Sequence, residues 1–262
     1  MFRLVSFTSA VYQTPQWDFL IFTQTWVPSI CAASNSRWPN SCRESSTLDS
    51  WTIHGLWPSD LNSMGPQFCK ENPQYHFNKS LITDLVPKLE GKWPNMIKST
   101  STSSLWKHEW EKHGSCAVLD SLLKDEHHYF LHGLNLNAQF DIQKILKNSG
   151  IVTGQDPLED IDGFESAITK YIGKKLQMHC VTDKEKNWYV SDVRLCLSKS
   201  LEVIDCPHPI SKTPTNGNLN TFRKLPQETP CPKGVKLLYP SLTQSSRSSV
   251  WSTQLRENVI IF

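Results

Sequence analysis

The segment 17-WDFLIFTQTW-26 combines aromatic and β-branched residues in a short run that holds one charge. Such a run is typical of a largely buried β-strand. Strand character returns in 51-WTIHGLWP-58, where apolar and polar residues alternate in period two until Gly55 and Pro58 end the run. Between these two strands we predict a loop that holds Cys31 and Cys42.

The rest of the chain mixes helical and extended patterns without a regular βαβ repeat, which indicates the α+β class. We predict a single domain over residues 17–240, with a central, mostly antiparallel sheet flanked by several helices. Residues 1–16 and the Ser-rich tail 241–262 are expected to lie outside this domain. Helical periodicity is present at 81–89, 103–114, 119–134, 137–150 and 163–175, and strand patterns at 175–181, 187–198 and 234–240.

The composition is that of a globular protein, with 262 residues of which 38% are hydrophobic and 20% charged. A formal net charge of +2 provides no strong basic field at neutral pH, which argues against a duplex-DNA binder. Protonation of all nine histidines would raise the charge of +2 to +11, so a polyanionic partner would be attracted more strongly in acid. No run of about 18 apolar residues is present, and we expect no membrane span.

Eight cysteines are spread over the chain, and they form neither a C-x-x-C pair nor a zinc-finger spacing. An even set of this kind predicts disulfides, and therefore secretion or a lysosomal lumen. Free buried thiols in a cytosolic protein are the alternative. The sequon at Asn78 predicts N-glycosylation and agrees with a secretory route. Residues 1–13 agree less well, because their apolar run is too short and interrupted for a signal peptide, and we expect an incomplete or alternative start.

The segment 106-WKHEWEKHGSC-116 holds two histidines, two glutamates and two lysines, and it is predicted as a short helix that ends at Gly114. It resembles the zinc-protease pattern H-E-x-x-H, but its second histidine comes one residue late. Since an α-helix turns about 100° per residue, His108 and His113 point about 140° apart and do not chelate one metal ion. Lys112 stands where the second ligand would be, so we predict no metal site.

The same helical geometry places four titratable side chains on one face, namely His108, Glu109, Lys112 and His113. Two imidazoles, a carboxylate and an ammonium suit proton transfer on an anionic substrate. A mixed-charge helix stabilised by i, i+4 pairs is the alternative. His54 on the second strand would complete a two-histidine acid and base set with this face. Its own alternative is a hydrogen-bonded core histidine beside a packed Trp57.

Taken together, 51-WTIHGLWP-58 and 106-WKHEWEKHGSC-116 resemble the two signature segments of the ribonuclease T2 family, acid endoribonucleases that include the plant S-RNases. Both match at nearly every position, in the right order and about fifty residues apart. Residues 17–26 resemble the opening strand of the family, and the likeness extends over residues 17–240. The resemblance implies four disulfides: Cys31–Cys42, Cys69–Cys116, Cys180–Cys231 and Cys196–Cys206.

The resemblance also implies a reaction in which RNA supplies its own nucleophile, the ribose 2′-OH. His113 would be the base of the first step and His54 the acid, and they exchange roles when the 2′,3′-cyclic phosphate is hydrolysed to the 3′-phosphate. Lys112 and Glu109 would stabilise the transition state or tune the neighbouring imidazole, while His108 would hold the phosphate. No metal or cofactor is required. The implied protein is a secreted or lysosomal monomer that cleaves single-stranded RNA, not DNA, with a bell-shaped profile below pH 7.

Base recognition is where the sequence departs from the family. Trp57 matches a base-stacking position. Ser59 stands where many relatives have an acidic or amide residue that contacts the base, and Leu105 replaces a residue that is often aromatic, so the base preference stays open. The leading hypothesis is an RNA endonuclease of low base specificity. The rival hypothesis is a secreted binding protein that keeps the fold without catalysis. Loss of His54 or His113 would have favoured this rival, and both are present.

Overall fold

The computed structural model describes residues 15–43, 48–63, 65–118, 122–154, 160–207 and 225–242. The predicted N-terminal segment 1–16 and tail 241–262 therefore lie almost wholly outside the described residues. The strands of one sheet are β1 (Phe19–Trp26), β2 (Trp51–Ser59), β3 (Gln177–Thr182), β4 (Trp188–Leu197), β5 (Val203–Ile204), β6 (Thr229–Pro230) and β7 (Leu237–Leu238).

Helices surround this sheet. The helix that contains residues 106–116, called the histidine-rich helix below, is composite. A π-helical turn, Trp110–Gly114, joins two α-helical pieces, and a short 3-10 helix covers Lys79–Ile82. None of the described helices is long and apolar enough to cross a membrane. The α-helices are α1 (Val27–Arg37), α2 (Val86–Lys92), α3 (Ser104–Glu109), α4 (Ser115–Ala117), α5 (Glu126–Gln139), α6 (Ile142–Asn148) and α7 (Ile161–Ile172).

Strand β1 is an inner strand of the sheet, with β2 antiparallel on one side and β4 antiparallel on the other. Beyond β4 lie β3 and then β6, again antiparallel. The short β5 pairs antiparallel with one end of β4, and β7 pairs parallel with the other end of β4. A mostly antiparallel sheet flanked by helices confirms the predicted α+β class.

The apolar character of residues 17–26 is explained by the position of β1 in the core. Seven of the eight β1 residues are buried. Helix α5 packs over β1 and β2, where the Tyr129 hydroxyl donates a hydrogen bond to the Leu56 carbonyl at 2.9 Å. The Asn137 amide donates to Gln24 Oε1 at 2.8 Å in the same layer. Each fully buried large apolar side chain stabilises the fold by about 1.5–3 kcal/mol, so this packing fixes the two strands beneath α5.

All eight cysteines are paired. The Cys69–Cys116 disulfide ties the end of the histidine-rich helix to a loop 47 residues earlier. In the loop-entropy account, closing a loop of this size contributes about 4 kcal/mol. The four pairs are those that the resemblance implies: Cys31–Cys42, Cys69–Cys116, Cys180–Cys231 and Cys196–Cys206.

Helix α1 contains Cys31, so the predicted loop is wrong there, while Cys42 lies outside the helix. Pro28 lies in the first turn of α1, where its missing N–H costs no intrahelical hydrogen bond. The Ser-, Ala- and Asn-rich sequence lacks an apolar stripe, but Ile30 and Ala33 pack against Val181 of β3. Helical stability here comes from tertiary packing, which sequence periodicity does not show.

Three residues predicted to end elements lie inside them instead. Gly55 and Pro58 are both within β2, which lies at the end of the strand order, where proline is tolerated because one side of the strand needs no N–H donor. Gly114 continues the helix with a φ of −59°. A Cβ on Gly114 would lie 2.5 Å from the Trp110 ring, so this glycine permits close packing and does not act as a stop.

Three predicted helices have different bounds in the structure. Within 119–134 the described helix begins only at Glu126, because Asp125 caps it by accepting the His128 N–H. The segment 137–150 is divided by Asp141, which caps α6 by accepting the Lys144 N–H. The pattern at 81–89 is split between the 3-10 helix and α2, since Pro87 lies in the first turn of α2.

Candidate active site

A bulge in β2 sets the position of His54. Two consecutive residues of β1 lie opposite Gly55 and Ile53, so His54 has no partner across the strand pair. An extra residue of this kind bends the strand and redirects its side chain. The carbonyl oxygen of His54 accepts a hydrogen bond from Trp93 Nε1 at 2.9 Å, which holds the bulged backbone.

The histidine-rich helix changes its winding within the signature segment. Its α-helical part ends at Glu109 and the π-helical turn begins at Trp110. In a π-helix the hydrogen bonds run from i to i+5, so residues five apart lie on nearly the same face. The angle of about 140° predicted between His108 and His113 therefore does not apply. The charge of Lys112 acts on His108, Glu109 and His113 alike, but a regular α-helix is the wrong reason for expecting these groups on one face.

This helix is held from three directions. Trp106 Nε1 donates to the Trp93 carbonyl at 2.7 Å, and Trp110 Nε1 donates to the Gln74 carbonyl at 2.9 Å. The disulfide of Cys116 fixes the far end. Rigid support of this kind keeps the side chains of the site in one geometry.

Trp57 is the residue around which the site is assembled. Its Nε1 donates to Glu109 Oε2 at 2.8 Å. Its ring centroid lies 5.1 Å from that of His54, edge to face, and 5.3 Å from that of His113. The structure therefore brings the strand histidine and the helix histidine to one indole. His108 and Lys112, both half-buried, complete the predicted set.

Gly55 permits this arrangement because a Cβ there would lie 2.0 Å from Trp57 Nε1 and 2.2 Å from Glu109 Oε2. We expect Gly55→Ala to displace both side chains, to lower kcat/KM at least tenfold and to destabilise the protein by about 1–3 kcal/mol. Gly91→Ala in α2 is the matched control, because no atom lies within 4 Å of its added methyl group. Thermal unfolding measures the loss of stability and steady-state turnover the loss of activity, and equal behaviour of Gly55→Ala and Gly91→Ala would contradict the close approach at Gly55.

The helix side of the site favours a neutral imidazole. Burial lowers the pKa of His113 well below 6.5, and the Lys112 ammonium lowers it further. The same two causes lower the pKa of His108 to about 3. Burial raises the pKa of Glu109, while the charge of His54 opposes this shift. His113 therefore remains unprotonated from mild acid upward, as a general base requires.

The strand side favours a protonated imidazole. His54 Nδ1 lies 3.6 Å from Asp192 Oδ2 and 3.9 Å from Glu228 Oε1. Burial acts to lower the pKa of His54, but these two carboxyl groups outweigh it and raise the pKa to about 9. The site thus presents one imidazole that holds its proton and one that does not, which is the pairing needed for simultaneous acid and base catalysis.

Asp192, Arg194 and Glu228 are absent from the predicted site residues, although they surround His54. The strand pattern held a usable signal, because the alternation of Val193 and Leu195 places Asp192 and Arg194 together on the other face of β4. Charged residues on a buried central strand require partners, which points to a site on that face. Glu228 gives no comparable signal in the sequence.

A group of three ligand atoms in this site has metal-binding dimensions. Among the described residues, atoms of His54, Asp192 and Glu228 lie within 4.8 Å of one another. Arg194 contacts both carboxyl groups, at 3.3 Å and 2.9 Å, so its charge competes with a cation for the same oxygens. The residues of this group therefore suit a buried ion-pair network better than a metal centre.

Comparison with known proteins gives a consistent result. A family model described as the ribonuclease T2 family matches residues 17–206. A ribonuclease T2 protein of Caenorhabditis elegans is 34% identical over 89% of this chain and 85% of its own length. Ribonuclease Oy of Magallana gigas is 34% identical over 86% of this chain and 96% of its own. The crystal structure of RNase NT in complex with 5′-AMP superimposes with a TM-score of 0.66 at 27% identity, covering 86% of this chain and 99% of that one.

Proposed function

The chain belongs to the ribonuclease T2 family and is an endoribonuclease; from this premise we propose that it cleaves single-stranded RNA to 2′,3′-cyclic phosphates and then hydrolyses these to 3′-phosphates. The observation that carries the proposal is the pair of imidazoles at Trp57, one with a raised pKa and one with a lowered pKa. Such a pair performs acid and base catalysis together without a further cofactor.

In the first step, neutral His113 takes the proton of the ribose 2′-OH, whose oxygen attacks the adjacent phosphorus. His54 gives its proton to the departing 5′-oxygen, so the P–O5′ bond breaks as the cyclic P–O2′ bond forms. Lys112 stabilises the negative charge that accumulates on the phosphorane, and His108 holds the phosphate. Glu109 acts near the same atoms through its place beside Trp57 and its charge interactions with His54 and Lys112.

In the second step, the two imidazoles exchange roles. His54, now neutral, takes a proton from water, and the resulting hydroxide attacks the cyclic phosphate. His113, now protonated, returns a proton to the departing 2′-oxygen. The pair ends in its starting protonation states, so the cycle needs no external proton carrier.

Low base specificity is supported by the surroundings of Ser59 and Leu105, the two residues that differ from the family pattern. Ser59 is buried, and its hydroxyl donates to the Trp57 carbonyl at 3.1 Å. Leu105 is also buried and has no polar group to offer. Neither side chain is available for hydrogen bonds with a base edge, which is how RNA-binding proteins read sequence.

The base-stacking role of Trp57 is separable from its hydrogen bond to Glu109. Stacking contributes about 1–3 kcal/mol per base, so Trp57→Ala is expected to raise KM about 5- to 150-fold. Trp57→Phe keeps an aromatic face but loses the Nε1 donor, and KM should change far less while kcat falls. Steady-state kinetics on a dinucleotide substrate distinguish the two contributions. An unchanged KM in both variants would contradict stacking on Trp57.

The pKa values define the pH dependence of kcat/KM. Activity is lost as pH falls through the pKa of His113, well below 6.5, because the base becomes protonated. Activity is also lost as pH rises through about 9, because His54 loses its proton. We therefore expect a bell-shaped profile of kcat/KM against pH. Its plateau should be wider than that of the profile below pH 7 that the sequence predicts. Initial rates on a uridine dinucleotide between pH 4 and about 10 measure both limbs; an alkaline limb below pH 7 would contradict the raised pKa.

An acidic optimum on long RNA would have to come from binding. Protonation of exposed histidines adds positive charge and attracts a polyanion. The full charge of +11 is not reached in mild acid, since the pKa of His108 is lowered to about 3 and that of His179 to about 4. We expect KM for long RNA to fall with acidification more steeply than KM for a dinucleotide.

We further propose that the protein is a secreted or lysosomal monomer with one domain over residues 17–240. Four disulfides support an oxidising compartment. Asn78 is exposed, as a glycosylation site must be, and its side-chain oxygen accepts the Ser80 N–H at 3.1 Å. The strands of the sheet lie between Phe19 and Leu238, within the proposed domain.

The experiment that tests the function is incubation of the purified protein with single-stranded RNA in EDTA at about pH 5, below the reference histidine pKa. We expect cleavage to cyclic phosphates and then 3′-phosphates. RNA binding without cleavage would favour the non-catalytic rival. A requirement for added metal would contradict catalysis by the two imidazoles alone.

A further inference from the structure

A buried polar cluster lies beneath His54 on the central strands, and the mechanism above uses only its effect on the charge of His54. Asp192 and Arg194 belong to β4, and Glu228 directly precedes β6. Arg194 Nη2 lies 2.9 Å from Glu228 Oε2 and 3.3 Å from Asp192 Oδ2. One guanidinium therefore holds two carboxyl groups, and both of them face His54 Nδ1.

Asp192 is the most firmly fixed member of this cluster. It is fully buried, and Thr25 lies directly opposite on β1. The Thr25 hydroxyl donates to Asp192 Oδ1 at 2.5 Å, which leaves Oδ2 toward His54 and Arg194. A carboxylate held by the sheet register and by two side chains has little freedom to move.

The two carboxyl groups differ in charge. Burial raises the pKa of Glu228, and the neighbouring charge of Asp192 raises it further, to about 8. Burial also acts to raise the pKa of Asp192, but its contacts with His54 and Arg194 outweigh this and hold the pKa below its usual range. Asp192 is therefore the carboxyl group of the cluster that more readily carries a negative charge, and it faces the imidazole of His54 and the guanidinium of Arg194.

The orientation of the His54 ring follows from the same contacts. Nδ1 is buried and makes no hydrogen bond within the described residues, and the nearer of the two carboxyl groups that face it is Asp192, with Oδ2 at 3.6 Å. The two ring nitrogens of histidine point in different directions, and the environment of one fixes the task of the other. With Nδ1 turned to Asp192, Nε2 is the nitrogen left to face a substrate.

We propose that Asp192 is a positioning residue for catalysis: it orients the imidazole of His54 through Nδ1, keeps it protonated, and so presents Nε2–H to the leaving 5′-oxygen. This inference rests on the proposed function, in which His54 is the general acid, and it assigns to the cluster the task of orienting that acid. Arg194 and Glu228 hold Asp192 in place. Arg194 also lies over the Trp57 ring at 5.2 Å, which links the cluster to the indole of the site.

The test compares Asp192→Asn with the wild-type protein by the pH dependence of kcat/KM on a dinucleotide. Loss of a facing charge shifts a pKa by about 1–3 units, so the alkaline limb should move to lower pH by at least about one unit. The other titratable groups around His54 and Asp192 all remain in the variant, namely Glu228, Arg194, Glu109, Lys112, His108, His113 and His179. Asp192→Glu is expected to restore part of the shift, which a loss of packing would not explain.

A second measurement is independent of activity. The His54 ring resonance, assigned by its loss in His54→Ala, is titrated by NMR in the wild-type protein, Asp192→Asn and Glu228→Gln. We expect the pKa of His54 to fall in Asp192→Asn and to fall by less in Glu228→Gln. The Glu228→Gln variant provides the test if Asp192→Asn does not fold. An unchanged titration in Asp192→Asn, or an unchanged titration in Glu228→Gln when the former is unfolded, would overturn the proposal. Absence of RNA cleavage by the wild-type protein would instead overturn the proposed function.

Discussion

Replacing His113 with alanine is expected to lower kcat on RNA by about 10³-fold, because general base catalysis of this kind contributes about 10²–10⁴. The 2′-OH must lose its proton whatever group departs. The same loss is therefore expected on a uridine 3′-aryl phosphate, whose phenolate leaves without protonation. Steady-state assays on both substrates, with EDTA present, measure the effect.

His76→Ala is the matched control for His113→Ala. The His76 side chain is 90% exposed, and the structure places it outside the site. The His76→Ala variant should retain wild-type kcat on both substrates. His76→Ala and His113→Ala should both melt within a few degrees of the wild-type protein. Comparable activity of His113→Ala and His76→Ala would remove His113 from the mechanism.

Replacing His54 with alanine is expected to give a different pattern. On RNA, where a poor alkoxide leaving group needs a proton, kcat should also fall about 10³-fold. On the aryl phosphate, kcat should remain close to the wild-type value, because this leaving group is stable as an anion. Hydrolysis of isolated 2′,3′-cyclic phosphate should fail, since His54 is the base of that step.

Stability needs its own control, because His54→Ala removes the cation that faces Asp192 and leaves a buried charge with one partner fewer. His54→Gln, which keeps a polar group at the position, provides a second variant if the alanine variant melts early. Equal losses on RNA and on the aryl phosphate in a folded variant would mean that His54 is not the acid of the first step.

Much of the candidate site could be predicted from the sequence, because the residues proposed to perform the chemistry lie in two short segments. The alternation around His54 and the spacing of Glu109, Lys112 and His113 already indicated two elements that carry proton-transfer groups. The disulfide partners required the family resemblance, since the spacing of eight cysteines leaves many pairings open.

The remainder depended on tertiary structure. The bulge that redirects His54 arises from the register between two strands, and no local pattern shows it. The π-helical turn after Glu109 likewise has no periodic signature. Asp192 is 138 residues from His54 in the chain, and only the pairing of β1 with both β2 and β4 brings them together. Helix α1 was missed because its burial comes from the sheet and not from an apolar stripe of its own.

The proposed cleavage of RNA through the 2′-OH, with His54 and His113 as the acid and base pair, is tested most directly on a DNA oligonucleotide that contains a single ribonucleotide. The oligonucleotide is incubated with the protein in EDTA and examined by mass spectrometry. The mechanism predicts one cut, on the 3′ side of the ribonucleotide, with a 2′,3′-cyclic phosphate on the upstream product and a 5′-hydroxyl on the downstream product, and no cut in the all-deoxy strand. Cleavage of the all-deoxy strand, or a 5′-phosphate on the downstream product, would contradict it.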